Sequence, residues 1–236
     1  MARVMQCDKR SFVQKLFTDI AARYDLFNRV ASCGLDQRWR RLALEYGKIE
    51  PGHSVLDVCS GTGDLSILCA LRQRGRGLVV SIDMNRAMLL RAQNKKYAQR
   101  TPISLLQADA LSLPFPDCCF DRVLIGFSTR NLNDFTQGIR EMVRVLRYGG
   151  VLVILETGYP RNHFLRACYQ MFLFTAARLI GFMLTGRFWP FTYLAKSVKS
   201  FLSPGQVVEG LSDLSTDVTY VPLSHGFASL YLATKR

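Results

Sequence analysis

Between Ser54 and Glu156 short apolar runs alternate with segments whose apolar residues recur every three or four positions. The runs Ser54–Val58, Leu78–Ile82, Ile103–Gln107, Phe120–Phe127 and Val151–Glu156 predict strands. Asp64–Arg72 and Phe135–Leu146 predict helices, as does a segment capped by Asn85 that runs to about Gln99; Gly149-Gly150 is a stop after Leu146. Strand and helix in alternation point to a parallel, doubly wound α/β sheet. Thr216–Val221 and Ala228–Ala233 read as two final strands. Ahead of the sheet, Val13, Leu16, Phe17, Ile20, Ala21 and Tyr24 share helical spacing over Val13–Asn28. Trp39–Tyr46 predicts a second helix, stopped by Gly47 and Pro51-Gly52.

The chain has 236 residues, 49% hydrophobic and 21% charged, which suits one folded domain with a large core. Four parts are expected within it: an N-terminal helical cap over 1–50, a core over 51–156, a lid over 157–208, and C-terminal strands over 209–236. The net charge of +13 points to an anionic partner, nucleic acid or an acidic membrane surface. The seven cysteines are Cys7, Cys33, Cys59, Cys69, Cys118, Cys119 and Cys168. No C-x-x-C pair occurs, and adjacent Cys118-Cys119 suit neither a disulfide nor zinc, so reduced thiols in a cytoplasm are expected. Met1–Ser11 is polar and basic, without a signal core. No stretch of about 20 residues is free of charge, so no spanning helix is expected.

The chemistry starts at Val55-Leu56-Asp57-Val58-Cys59-Ser60-Gly61-Thr62-Gly63-Asp64, with Asp83 closing the next apolar run. A Gly-x-Gly turn lets backbone approach a ligand, and an acid at the next strand end accepts from ribose hydroxyls. Ser66 stands where the third glycine of a dinucleotide fingerprint would fall, and no base in the turn holds a phosphate. A nucleoside without pyrophosphate therefore fits better than NAD. The pattern resembles the first motif of class I S-adenosylmethionine-dependent methyltransferases. That resemblance implies Gly61 and Gly63 under the methionine part of the cofactor, with Thr62 at its carboxylate. It also implies Asp83 at the ribose beside Met84, Asp109 and Ala110 at the adenine, and Gly126 among the cofactor contacts. After the fourth strand comes Phe127-Ser128-Thr129-Arg130-Asn131. By residue type alone Arg130 is equally a solvated loop cation or a group facing the reacting methyl. No Asn/Asp-Pro-Pro-aromatic motif of exocyclic-nitrogen methyltransferases occurs there.

More specific patterns follow. Phe17-x-x-Ile20-Ala21-x-x-Tyr24-Asp25-x-x-Asn28, Ser32-x-Gly34 with Trp39-Arg40-Arg41, Leu113-Pro114-Phe115, Arg130-Asn131, Glu141-Met142-x-Arg144 and Tyr193-Leu194-x-x-Ser197 run in this order. Together they resemble the ubiquinone/menaquinone biosynthesis C-methyltransferase family from about Val13 to Phe201. Departures are Arg147-Tyr148 for the usual Lys-Pro, Lys196 for a Glu, Gly126 for a polar residue, and no Gly-Phe turn around Leu211–Ser215. The resemblance implies a Rossmann-like, mostly parallel seven-stranded sheet with N-terminal helices and a helical lid insertion. It implies C-methylation of a prenylated quinol such as demethylmenaquinol, with S-adenosylmethionine as cosubstrate and no metal; the ubiquinone-pathway benzoquinol is a further acceptor. Arg130 and Asn131, completed by Asp64 and Tyr24, are the implied catalytic residues.

Residues 157–208 contain no Asp or Glu, six bases and many aromatics, among them Tyr169, Phe182, Phe188 and Trp189. Such a segment suits a membrane interface, or a lid whose aromatics are core; the two are compatible. The expected location is cytoplasmic, peripheral on the inner face of the membrane, with a homodimer as an open expectation. Two other functions fit parts of the sequence. An RNA or other small-molecule methyltransferase would use the charge, but no RNA-binding module or Pro-Cys nucleophile motif accompanies it, so nucleic acid is not the expected partner. A non-catalytic cofactor-binding subunit is opposed by the intact Arg130-Asn131 and Gly61-Thr62-Gly63-Asp64.

Overall fold

A computed structural model describes residues 2–158, 160–214 and 216–236, with side chains from Lys9 onward except that of Thr216. Seven strands form one sheet in the order β3-β2-β1-β4-β5-β7-β6. They are β1 (Ser54–Val58), β2 (Leu78–Asp83), β3 (Ile103–Gln107), β4 (Phe120–Gly126), β5 (Leu146–Thr157), β6 (Thr216–Leu223) and β7 (Ala228–Lys235). Only β7 runs antiparallel, to both β5 and β6. Val55, Leu56 and Val58 in β1 and Val123, Leu124 and Ile125 in β4 are fully buried, as a strand covered on both faces requires. The strand order reverses between β1 and β4, which opens a crevice at their carboxyl ends.

Helices cover both faces. On one side lie α3 (Leu35–Tyr46) and α4 (Asp64–Gln73), packed through Trp39, Ala43, Leu65 and Ile67. On the other, α6 (Phe135–Val145) and α10 (Pro204–Ser212) contribute Ile139, Met142, Val207 and Leu211. The helix capped by Asn85 is α5 (Arg86–Ala98); the Asn85 side chain accepts from the Met88 N–H at 3.1 Å. A third apolar cluster joins α1 (Ala2–Ile20), α2 (Tyr24–Ala31), α7 (His163–Phe174), α8 (Ala176–Thr185) and α9 (Trp189–Ser200).

Three expectations change. The single helix over 13–28 is two, broken at residues 21–23, because the turn brings Phe27 back into the cluster that holds Leu16 and Ile20. Gly149-Gly150 is not a stop. β5 starts at Leu146, and Gly149, at φ +72°, forms an irregularity where the partners of Phe120 and Arg122 lose register. The lid ends before α10, whose Val207 and Leu211 belong to the sheet core. Residues 163–185 have the length and composition of a span, with mean hydropathy 1.4 over 18 of them. Thr175, at φ −119° and ψ −83°, divides them into helices of 12 and 10 residues. At 1.5 Å per residue neither reaches the ~30 Å of a bilayer core. Cys33, Cys59, Cys69, Cys118, Cys119 and Cys168 are free thiols; the side chain of Cys7 and the Ser215 end of the expected Gly-Phe turn lie outside the described residues.

Candidate functional site

At the carboxyl ends of β1, β2 and β4 lies a polar cavity, about 980 Å³ with its open mouth. Gly61, Asp83, Met84, Asp109, Ala110 and Gly126, the cofactor contacts that the resemblance implies, all line it. Gly61 sits at φ +57° with nothing within 4 Å of the position a Cβ would take, so backbone faces open space there. Its N–H donates to Asp83 Oδ2 at 2.8 Å, and the Asn85 N–H donates to Asp83 Oδ1 at 2.7 Å. Burial pushes the Asp83 carboxyl above the usual carboxylate range, although these backbone N–H groups pull the other way. Asp109 accepts from the Leu111 N–H at 3.0 Å and pairs with Arg10 of α1 at 3.1 Å. Arg10 Nε also reaches the Met84 sulfur at 3.1 Å. Helix α1 therefore lies across the mouth, held further by Asn85 Nδ2 donating to Gln14 O at 2.8 Å.

Thr62 and Gly63, also expected at the cofactor, do not line this cavity. Gly63 is at φ +81°, and a Cβ there would stand 3.1 Å from Ala92 Cβ in α5. Its absent side chain thus serves the turn and the packing of α5. The Thr62 hydroxyl is buried and donates to Asp25; Lys95 Nζ donates to it at 3.0 Å. The same ammonium bonds Asp25 Oδ2 at 2.9 Å and pairs with Asp64. Asp64 also accepts from Gln37 Nε2 at 3.1 Å. Burial alone would raise the Asp64 carboxyl, but Lys95 and Arg40 outweigh it and hold it below its ordinary range. It is a committed carboxylate rather than a poised proton acceptor.

At the end of β4 the backbone is bent by Phe127, whose φ of +56° is rare for a residue with a side chain. The bend starts a 3₁₀ turn at Thr129–Asn131. Arg130 is not a solvated cation. It is buried and ion-paired to Glu156 at the end of β5, and its Nη1 donates to Phe127 O at 2.7 Å. Glu156 is fully buried and also accepts from Thr129 Oγ1 at 2.6 Å and the Thr157 N–H at 2.8 Å. Asn131 Oδ1 accepts from Tyr193 Oη of α9 at 3.2 Å. Burial raises the Tyr193 phenol, only partly countered by Arg130, so it stays a donor. Arg130 Nε and Asn131 Nδ2 are buried with no hydrogen-bond partner.

Above this turn is a second, apolar cavity, also about 980 Å³ with its mouth, walled by α1, α2 and α7–α9. Leu16, Phe27, Tyr169, Leu173 and Phe191 line it, with Arg130 and Asn131 in its wall. Phe17, Tyr24, Arg40 and Asn131 line both cavities. A polar, nucleoside-sized space and an apolar one therefore meet at four side chains.

A sequence profile of the ubiE/COQ5 methyltransferase family matches residues 4–235. The chain belongs to the ubiE/COQ5 methyltransferase family. A demethylmenaquinone methyltransferase of Deinococcus radiodurans is 37% identical over 230 residues, covering 97% of this chain and 95% of that one. Another, of Thermus thermophilus, is 36% identical over 221 residues, covering 93% and 100%. A ubiquinone/menaquinone biosynthesis C-methyltransferase of Hahella chejuensis is 38% identical over 194 residues, covering 81% and 78%. Among solved structures, a SAM-dependent methyltransferase from Aquifex aeolicus has the same fold, with TM-score 0.63, 18% identity, and coverage of 84% of this chain and 89% of that one.

For a methyltransferase, four side chains of the site lay outside the sequence expectations: Arg10, Arg40, Lys95 and Glu156. Glu156 carried the same signal as Asp83 and Asp109, an acid closing an apolar run. Arg40 stood within Trp39-Arg40-Arg41. Arg10 and Lys95 carried none, since each reaches the site only through the packing of its helix.

Proposed function

We propose that the protein transfers a methyl group from S-adenosylmethionine to a ring carbon of a prenylated quinol, demethylmenaquinol in the first instance. The observation that carries this reading is the meeting of the polar and apolar cavities at Phe17, Tyr24, Arg40 and Asn131. A bilayer-derived isoprenoid tail fits the aromatic and aliphatic walls, and the relatives from Deinococcus radiodurans and Thermus thermophilus are named for demethylmenaquinone. The residues of the polar cavity fit the nucleoside: open backbone at Gly61, carboxylates at Asp83 and Asp109, and Met84 and Ala110 beside them.

When bound, S-adenosylmethionine supplies an electrophilic methyl on its sulfonium. The protein must hold the ring carbon at the cavity junction, exclude water, and favour the phenolate form of the ring, which pushes electron density to the ortho carbon. Arg130 Nε and Asn131 Nδ2 are the donors assigned to the ring oxygen or to a water that takes its proton. Both lack partners and lie in apolar surroundings, where a hydrogen bond to an ionised oxygen is strong. Glu156 offsets the charge of Arg130, so Arg130 acts chiefly through directed hydrogen bonds. Tyr24 shapes the junction. Asp64, tied to Lys95, keeps its negative charge at the cofactor side instead of accepting the ring proton.

The acid-free lid is assigned to the membrane surface, as the source of the substrate. Phe164, Met171 and Met183 are 74%, 65% and 69% exposed on α7 and α8, and Arg161, Lys196 and Lys199 of the same segment are exposed as well. Each base near an anionic surface adds about 1 kcal/mol.

The test is an anaerobic assay with labelled S-adenosylmethionine and two acceptors, demethylmenaquinol and a demethylated benzoquinol. Label on a ring carbon of the naphthoquinol is the expected result. Label on neither, with cofactor binding intact, would reject the quinol reading.

A further inference from the structure

We propose that Arg40 is the carboxylate-binding group of the polar cavity, reading the amino-acid end of a nucleoside ligand. The inference rests on the proposed use of S-adenosylmethionine and assigns a residue that its motif position alone did not.

Arg40 lies in α3 and is buried, yet it lines both cavities. Its Nε has no hydrogen-bond partner. The nearest carboxylates are Asp36 Oδ2 at 3.8 Å and Asp64 Oδ2 at 3.9 Å, both beyond hydrogen-bond range. Those acids already have closer partners. Asp36 pairs with Arg29 at 3.3 Å and accepts from Gln37 at 3.1 Å, and Asp64 is held by Lys95 and Gln37. A guanidinium carries five N–H donors, and burying them unmatched is costly unless a ligand completes them.

The surroundings leave room for that ligand. Gly126 has no side chain to cover the guanidinium; a Cβ there would stand 3.6 Å from Arg40 Nη1. The Phe127 ring lies 5.2 Å from the guanidinium carbon and limits its tilt. Gly61 and Asp64 line the same cavity. The Thr62 hydroxyl, the other candidate for a carboxylate, is turned to Asp25 and Lys95. Arg40 is thus the cation of this wall with unused donors, and a planar carboxylate matches its fork.

The experiment measures binding of S-adenosylhomocysteine and of 5′-methylthioadenosine, which lacks the amino-acid end, by calorimetry. For Arg40→Met, affinity for S-adenosylhomocysteine should fall by about 30-fold or more, as loss of a charge-assisted pair predicts. Affinity for 5′-methylthioadenosine should stay within about 2-fold, which also reports that the cavity is folded. Should Arg40→Met not fold, Arg40→Lys carries the test, with an expected loss of about 5- to 10-fold for S-adenosylhomocysteine alone. Equal loss for both ligands, or none for either, would overturn the assignment. If the unsubstituted protein binds neither ligand, the cofactor reading itself fails, and Arg40 with it.

Discussion

Arg130 and Glu156 form a buried ion pair that joins the carboxyl ends of β4 and β5 beneath the apolar cavity. The pair turns a loop cation into a fixed donor, with Nη1 spent on Glu156 and Phe127 and Nε left over. Arg130→Ala is expected to lower turnover by about 100-fold or more while S-adenosylhomocysteine binding survives. It should also cost about 3–5 kcal/mol of stability, because Glu156 is left charged and alone. Arg130→Met combined with Glu156→Gln should recover most of the stability and none of the activity. Denaturation curves and turnover measured together separate the two effects, and normal turnover in Arg130→Ala would remove it from the site.

The two glycines of the turn should fail differently. Gly63→Ala strains a backbone at φ +81° and presses a methyl against Ala92 at 3.1 Å, so it should destabilise the protein by about 1–2 kcal/mol. Gly61→Ala also strains its backbone, but it meets nothing and projects into the cavity. Its expected signature is weaker nucleoside binding beyond what its loss of melting temperature explains. Identical binding by both variants would contradict the assignment of Gly61 to the cavity.

Asp57 predicts a pH effect on stability. Its carboxyl, in β1, is pushed up to about 7 by burial, although Ser66 and Arg40 pull it down. Ser66 donates to it, and Ser81 donates to Ser66 at 2.6 Å. The unfolded value is near 3.9. The folded chain therefore holds the proton more tightly, and the stability this group contributes is present in acid and lost as pH rises through about 7. Relative to Asp57→Asn, the unsubstituted protein should lose melting temperature between about pH 4 and pH 7. A difference that stays constant with pH would refute this.

The Lys95–Asp64 pair has the opposite sign. Asp64 is held below its ordinary range, so its contribution is present at neutral pH and lost as pH falls through the folded value. Lys95→Met should destabilise the protein by about 1–3 kcal/mol at pH 7, and the deficit should shrink in acid. Urea titrations of both proteins across the acid range check it. Because Asp25 neighbours Tyr24 and also binds Lys95, KM for the quinol should rise as well.

For the lid, Phe164→Ser with Met183→Ser should reduce sedimentation with anionic liposomes several-fold and barely change the melting temperature, since both side chains are exposed. Binding of the unsubstituted protein should weaken with salt. Equal recovery with neutral and anionic vesicles would count against a basic docking face.

The β1–β4 strands and the glycine turn were readable because they obey local rules. Strands buried on both faces are apolar runs, and an open backbone facing a ligand needs glycine. Asn85 announced its helix by side-chain chemistry, and the predicted cap is the observed one. The break at residues 21–23 was not readable, since both halves carry the same apolar period and only their shared cluster explains the turn. Gly149-Gly150 resembled a stop because a bulge and a chain end use the same residues; strand pairing distinguishes them.

The sequence alone determined the sheet, the family pattern and most of the acids and glycines of the polar cavity, since each depends on a few neighbouring residues. Tertiary packing decided how they are used. It turned Thr62 toward Lys95, fastened Arg130 to Glu156, drew Arg10 and Arg40 into the cavity walls, and joined two cavities at residues from α1, α2, α3 and the β4 turn. Spacing along the chain records which groups share a helix face or strand end. Which charge is buried beside which partner depends on contacts between distant segments, 70 residues apart for Asp25 and Lys95 and 99 for Arg10 and Asp109, and these exist only once the helices have packed.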